Sequence, residues 1–159
     1  MKKISLTNGG VTLISDEDYS EVSKYKWFLK RETHKESVIR TIGKISLSRF
    51  LLNPPKGMLV DHIDGNRLNN QRENIRICTP AENARNTILY STNTSGFRGV
   101  MWKKSNKKWH ARITVNYKRI SLGFFDSITD AAKAYNKAAK EYFGEFARLN
   151  YIGKEQERK

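Results

Sequence analysis

Apolar and polar positions change rhythm three times along the chain. At the start, Ile4 and Leu6 alternate with polar residues up to Asn8-Gly9-Gly10, and Val11 and Leu13 alternate away from it. A period of two on either side of a glycine turn predicts a β-hairpin. Ser15-Asp16-Glu17-Asp18 carries the acids of a first helical turn and predicts a short helix over 16–24. Lys26 to Leu29 and Val38 to Ile42 predict two strands. Ser46 to Leu52 predicts a short helix that Pro54-Pro55 cannot continue.

The second rhythm runs from Met58 to Asn86. Met58-Leu59-Val60 is a short apolar strand and Ile75-Arg76-Ile77-Cys78 alternates like another. Between them lies a polar stretch of turn formers, Gly65 to Asn74. Thr79-Pro80-Ala81-Glu82 then opens a helix, with Thr at the N-cap, Pro at the first helical position and Glu at the third. The third rhythm comes after the small polar linker 91–96. Phe97 to Trp102, Trp109 to Val115 and Arg119 to Leu122 read as a three-stranded antiparallel meander. From Ser127 to Phe143, Ile128, Ala131, Ala132, Tyr135, Ala138, Ala139 and Tyr142 recur at helical spacing, an alanine-rich stripe suited to lie closely on the sheet. The fold class expected is α+β.

Composition sharpens this picture. The chain has 159 residues, room for one ordinary domain or two small ones, and its 38% hydrophobic content can build packed cores. The lone cysteine, Cys78, excludes a disulfide framework and a cysteine-based zinc cluster, and its place in an alternating strand predicts packing rather than reactivity. No apolar run reaches the roughly 20 residues of a membrane span, and no secretory signal opens the chain; a soluble intracellular protein is expected. The net charge is +14, which calls for a polyanionic partner, foremost nucleic acid. A basic chain can also be merely soluble, but the placement of charge argues against that here. No acidic residue lies between Glu82 and Asp126, while nine Lys and Arg fall in that gap, interleaved with Phe97, Trp102, Trp109 and Tyr117.

The middle stretch holds the candidate chemistry. Asp61-His62 ends a strand, Asn74 opens the next, and Asn83 lies in the first turn of the helix. Phosphodiester hydrolysis needs a base for water and a hard cation for the phosphate and leaving oxygen. His62 has the pKa range of such a base, and Asp61 and Asn83 offer oxygen ligands suited to Mg²⁺. Neighbours on a strand point to opposite faces, so Asp61 and His62 share a site only if the strand ends or bends, which Asp64-Gly65-Asn66 would allow.

Val60-Asp61-His62-Ile63-Asp64-Gly65-Asn66, Asn69-Asn70, Glu73-Asn74-Ile75-Arg76, Thr79 and Glu82-Asn83 together resemble the HNH nucleases of the ββα-metal class, most of all the homing-type branch common in phages. The resemblance implies His62 as general base, Asp61 and Asn83 as ligands of Mg²⁺ (or Mn²⁺), and Asn74 as the residue that pins the loop and orients the base. Relatives often carry His before the Arg of the preceding helix; here Ser48 precedes Arg49. His34 and His110 lack such surroundings and are expected to face solvent or lie near DNA.

Ser95-Gly96-Phe97-Arg98-Gly99-Val100, Trp109-His110-Ala111-Arg112-Ile113, Leu122-Gly123-Phe124-Phe125, Ala131 to Tyr135 and Gly144 to Asn150 resemble the Apetala-two/ERF-type DNA-binding domain of plant ethylene-response factors. That resemblance implies a sheet whose exposed face enters the major groove through Arg98, Met101, Lys103, Arg112, Thr114, Arg119 and Ser121. Arg98 and Arg119 keep the family's arginines and Lys103 its charge, while Met101, Arg112, Thr114 and Ser121 depart from it, so the plant target sequence does not carry over. Arg76 and Arg85 are further expected DNA contacts. Of the two tryptophans beside this sheet, Trp109 is expected to pack on the helix.

The organisation expected is an HNH domain over 1–90, a β-rich scaffold leading into a ββα-metal core at about 58–87. After it come the linker 91–96, the ERF-type domain 97–152 and a charged tail 153–159. The function expected is a Mg²⁺-dependent, nicking DNA endonuclease acting on double-stranded DNA as a monomer or DNA-induced dimer, without a membrane. Its place would be the cytoplasm of a bacterial host, encoded by a phage or mobile element. The competing readings are a catalytically inactive sequence-specific DNA-binding regulator and a basic RNA-binding protein; the joint presence of Asp61, His62, Asn74 and Asn83 weighs against the first.

Overall fold

In the computed structural model, which describes residues 1–32, 35–86, 89 and 92–153, strands β1 (Lys2–Ser5) and β2 (Val11–Ile14) form the expected hairpin with Ile4 opposite Thr12. Register decides which face of β2 is covered. Thr12 and Ile14 turn inward with Ile4, whereas Val11, apolar partner of Leu13 in the sequence pattern, is 44% exposed. The expected helix over 16–24 is a 3-10 turn, Asp16–Asp18, leading into one turn of α-helix, α1 (Tyr19–Val22). Ser15 does not cap it, because its hydroxyl instead accepts from the backbone N–H of Arg72.

Strands β3 (Trp27–Glu32) and β4 (Lys35–Arg40) pair antiparallel, and α2 (Leu47–Leu52) ends on Asn53 in the left-handed region. Trp27 anchors this part, fully buried with its indole N–H donating to the Val22 carbonyl. Ile4, Leu6, Ile14, Val22, Leu29, Val38 and Leu47 close the core around it. Leu68, from the later polar loop, packs against this core and so anchors the loop to residues 1–50.

Next come β5 (Leu59–His62), the two-residue β6 (Asn69–Asn70), β7 (Ile75–Cys78) and α3 (Pro80–Arg85). β5 and β7 pair antiparallel with Asp61 opposite Arg76 and His62 opposite Ile75. Strand β6 pairs in parallel with β2, so the polar loop is tied to the N-terminal hairpin. The start of α3 is the predicted capping box: the Thr79 N–H and hydroxyl donate to the Glu82 carboxylate, and the Glu82 N–H donates to the Thr79 hydroxyl. Cys78 is fully buried, and burial pushes its thiol pKa up.

The chain divides into two compact units, Met1–Ala84 and the residues from Arg85 onward. In the second, β8 (Val100–Lys103), β9 (Lys108–Val115) and β10 (Lys118–Phe125) form an antiparallel meander in the order β10-β9-β8. The helix α4 (Ile128–Phe143) is capped by the Ser127 hydroxyl, which accepts from the N–H groups of Thr129 and Asp130. Its Ala131, Ala132, Tyr135, Ala138 and Ala139 are buried against the sheet, as the spacing predicts. Tyr142 does not join them and is 44% exposed. Small side chains bring helix and sheet so close that Gly99, at φ +71°, has no room for a Cβ: one would meet the Tyr135 ring at 2.1 Å. Residues 93–97 form a hydrogen-bonded turn in which Ser95 Oγ donates to the Val100 carbonyl and Asn93 Nδ2 to that of Phe97.

Candidate active site and nucleic-acid interface

A cavity of about 250 Å³ opens in the first unit, lined among others by Ser48, Arg49, His62, Arg67, Asn70 and Asn83. His62 reaches it from the end of β5 and Asn83 from the capped helix α3. The structure therefore brings the expected base and one expected oxygen ligand to one wall-lined space. Asp61 is handled differently. As neighbours on a strand, Asp61 and His62 turn opposite ways, because β5 stays paired with β7 through both. The bend at Gly65 comes after them. The Asp61 carboxylate is buried and accepts from Arg76 Nε at 3.1 Å and Nη2 at 2.9 Å. Its negative charge nonetheless reaches His62.

The imidazole is held by a chain of hydrogen bonds that also fixes its tautomer. Thr12 Oγ1 donates to the Leu68 carbonyl at 2.8 Å, so toward Asn70 it can only accept. Asn70 Nδ2 donates to Thr12 Oγ1 at 3.0 Å and to the Arg67 carbonyl at 3.1 Å. Asn70 Oδ1 is thereby turned to His62 Nε2 at 3.1 Å, and an amide oxygen accepts only. His62 Nε2 must carry the hydrogen, which leaves Nδ1 with the lone pair. Burial, the largest influence, lowers the His62 pKa below the ordinary imidazole value, so the neutral form is favoured at pH 7.

Asn74 bonds within the loop rather than to the imidazole it was expected to orient: its Oδ1 accepts from the Asp64 N–H, its Nδ2 donates to the Asp64 carboxylate and the Asn69 carbonyl, and its carbonyl accepts from the Ile63 N–H. The side chain on the imidazole is that of Asn70, which the sequence marked only as part of an Asn-Asn pair. Thr12, Arg49 and Arg67 were also missed, since nothing local to a β-hairpin, a helix or a loop says that Thr12 backs Asn70 or that Arg49 and Arg67 line the cavity of His62.

Among the described residues no group of three or more His, Cys, Asp or Glu is placed to hold a metal. Asn83 lines the cavity, whereas the Asp61 carboxylate lies on the other side of β5 from His62, bonded to Arg76; amide and carboxylate oxygens are the donor types that hard divalent cations take.

In the second unit, strand alternation sorts the sheet into two faces. Val100, Trp109, Ala111 and Ile113 pack toward α4. Lys103, Lys108, Arg112, Thr114, Arg119 and Ser121 lie on the other face, with Thr114 opposite Arg119 and Arg112 opposite Ser121. Arg98 is not on that face by strand register. It sits in the turn before β8, half-buried, and the turn is clasped by Asn150, which accepts from the Arg98 N–H and donates to its carbonyl. Arg76 is spent on Asp61 in a pair whose side chains are only 14% and 6% exposed. The Arg85 guanidinium lies over the Phe143 ring at 4.7 Å. Trp109 packs on the core as expected, and Trp102 meets it edge-on at 5.1 Å while staying 45% exposed. His110 lies on the face of the sheet turned away from α4, partly exposed and stacked against Phe124. His34 lies outside the described residues. Among the described residues no helix is long and apolar enough to cross a membrane.

Comparison with known proteins agrees with both halves of this geometry. Residues 53–85 match the HNH endonuclease family and residues 95–145 the AP2 domain. An "Uncharacterized HNH endonuclease L560" of Acanthamoeba polyphaga mimivirus is 35% identical over 150 residues, 91% of this chain and 76% of that protein. "Protein 3.8" of Escherichia phage T7 is 37% identical over 95 residues, 60% of this chain and 78% of that protein. An SPbeta prophage-derived putative HNH homing endonuclease, YosQ of Bacillus subtilis, is 46% identical over 54 residues, 34% of this chain and 29% of its own length. With a relative matched over three quarters of its length and the nuclease motif lying on the cavity that holds His62 and Asn83, the chain belongs to the HNH endonucleases and carries an AP2 domain after the nuclease core.

Proposed function

We propose that the protein is a Mg²⁺-dependent DNA endonuclease that nicks duplex DNA, with His62 as general base and the sheet β8–β10 as the surface that selects the site. The observation that carries this reading is the chain Thr12–Asn70–His62, which holds the imidazole through Nε2 in a cavity shared with Asn83. His62 Nδ1 takes the proton of the attacking water as its oxygen closes on phosphorus, and Nε2–H on Asn70 Oδ1 keeps the ring from turning away. Arg49 and Arg67 bring positive charge to the same cavity, where the phosphate's non-bridging oxygens need it. Asp61 and Asn83 would hold the divalent ion, which when bound stabilises the charge on the phosphate and on the departing 3′ oxygen. Arg76 pairs with the Asp61 carboxylate at 2.9 Å and fixes it on β5.

The decisive experiment is cleavage of duplex DNA with Mg²⁺, with Mn²⁺ and with chelator, by the native protein and by His62→Ala. The native protein cuts only with metal; His62→Ala loses about 10²–10⁴-fold in rate while its gel-shift affinity in chelator is unchanged. A protein that binds duplex but never cuts it with either ion overturns the reading in favour of a regulator.

A further inference from the structure

The DNA-facing side of the sheet is not uniformly cationic. At its middle, Phe124 on β10 stacks on His110 of β9, ring centroids 4.6 Å apart and planes 15° from parallel. Met101 of β8 lies opposite His110 in the register, so one residue from each strand forms a row across the sheet. Phe124 is 45% exposed. Its outward placement is built in by a bulge: the register slips between Ser121 and Gly123, so Leu122 and Phe125 pack on the core and Phe124 does not. His110 Nε2 is bonded to Ser121 Oγ at 2.9 Å, and Nδ1 is buried with no partner among the described residues. Burial, together with Lys103 and Arg112 nearby, lowers the His110 pKa, so this ring adds no further cation to the face. The result is a neutral, flat, apolar row flanked by Lys103, Arg112 and Arg119, and by Lys108, which is paired to Asp126.

Cations on a major-groove face meet phosphates and guanine edges; an apolar side chain among them matches one major-groove feature, the C5-methyl group of thymine. We infer that Phe124, backed by His110 and Met101, is a specificity-determining contact that reads thymine methyls in the target site. This rests on the reading of the β8–β10 face as the DNA surface, and the test separates the two.

The experiment selects preferred sites for the full chain from a randomised duplex pool in chelator. It then compares affinity for the selected duplex and for the same duplex with uracil in place of thymine, which removes methyl groups and nothing else. The native protein is expected to lose about fourfold per contacted methyl, the transfer value of one buried methyl-sized group. Phe124→Ala binds the thymine and uracil duplexes alike, and so removes the preference. A variant that is partly unfolded weakens both affinities equally and keeps the native ratio, so the ratio is insensitive to misfolding. Met101→Gln, a polar change at the end of the row, lowers the same ratio and supplies a second reading. A native ratio of one, a selected site without thymine, or a ratio that Phe124→Ala and Met101→Gln both leave intact overturns the proposal. If Lys103→Ala and Arg119→Ala leave binding to both duplexes unchanged, the face itself is not the DNA surface, and the reading beneath the proposal fails with it.

Discussion

Asp61 is a buried anion whose Arg76 partner determines how it can be used. Removing one member of a buried ion pair leaves a desolvated charge, so Arg76→Ala should lower the unfolding free energy by about 3–5 kcal/mol. If Asp61 also binds the cation, Mg²⁺ should restore part of that loss, because the ion supplies the positive charge the guanidinium gave. Urea unfolding with and without Mg²⁺ checks this: a Mg²⁺-induced stabilisation larger in Arg76→Ala than in the native protein is expected, and an equal response would remove Asp61 from the metal site. Asn70 gives a second prediction. It touches the imidazole on the side away from the proposed chemistry, so Asn70→Ala should cut the turnover rate by about 10–100-fold, the usual cost of losing an orienting partner. DNA affinity, measured in chelator, should stay unchanged. A loss of affinity equal to the loss of rate would make Asn70 a binding residue instead.

At the scale of elements, the parts legible in the sequence are those decided locally. The capping box at Thr79 and Glu82 and the alanine stripe of α4 depend on residues three or four apart, and both stand as the pattern predicts. Pairings between distant segments were not legible. Strand β6 is two asparagines bonded to a hairpin more than fifty residues earlier, and no periodicity announces it. The outward turn of Phe124 depends on a single bulged residue, Leu122, which shifts the phase of a strand whose plain alternation would bury position 124. The candidate site divides the same way: His62, Asn74 and Asn83 could be read from the motif, whereas Arg76 on Asp61 and Asn70 on His62 depend on register and tertiary contact. Two element-scale predictions test this packing. Thr79→Ala should cost about 1 kcal/mol of stability and lower the cleavage rate more than binding, because α3 carries Asn83. Gly99→Ala must both adopt a left-handed backbone and drive a methyl into Tyr135, so it should destabilise the second unit by about 3 kcal/mol or more. Thermal unfolding and gel shift together check it, with lost DNA affinity expected to track the unfolded fraction.

For the whole molecule, the charge distribution and the number of reaction centres bear on how many strands one binding event can cut. The chain carries +14 overall and only one Asp61-His62 motif with its Asn83, and among the described residues one cavity holds the imidazole. The two strands of a duplex run in opposite directions, so one base in one orientation can line up its water with one scissile phosphate at a time. The sequence has no heptad seam that would hold two copies together before DNA is met. The native protein should therefore nick a supercoiled plasmid bearing one selected site, and open circles should accumulate before linear molecules form. Linear product should then rise with protein concentration, since a second strand needs a second visit or a second copy. Linear product from the first time point, at a rate independent of protein concentration once the site is saturated, would instead require a dimer formed in advance.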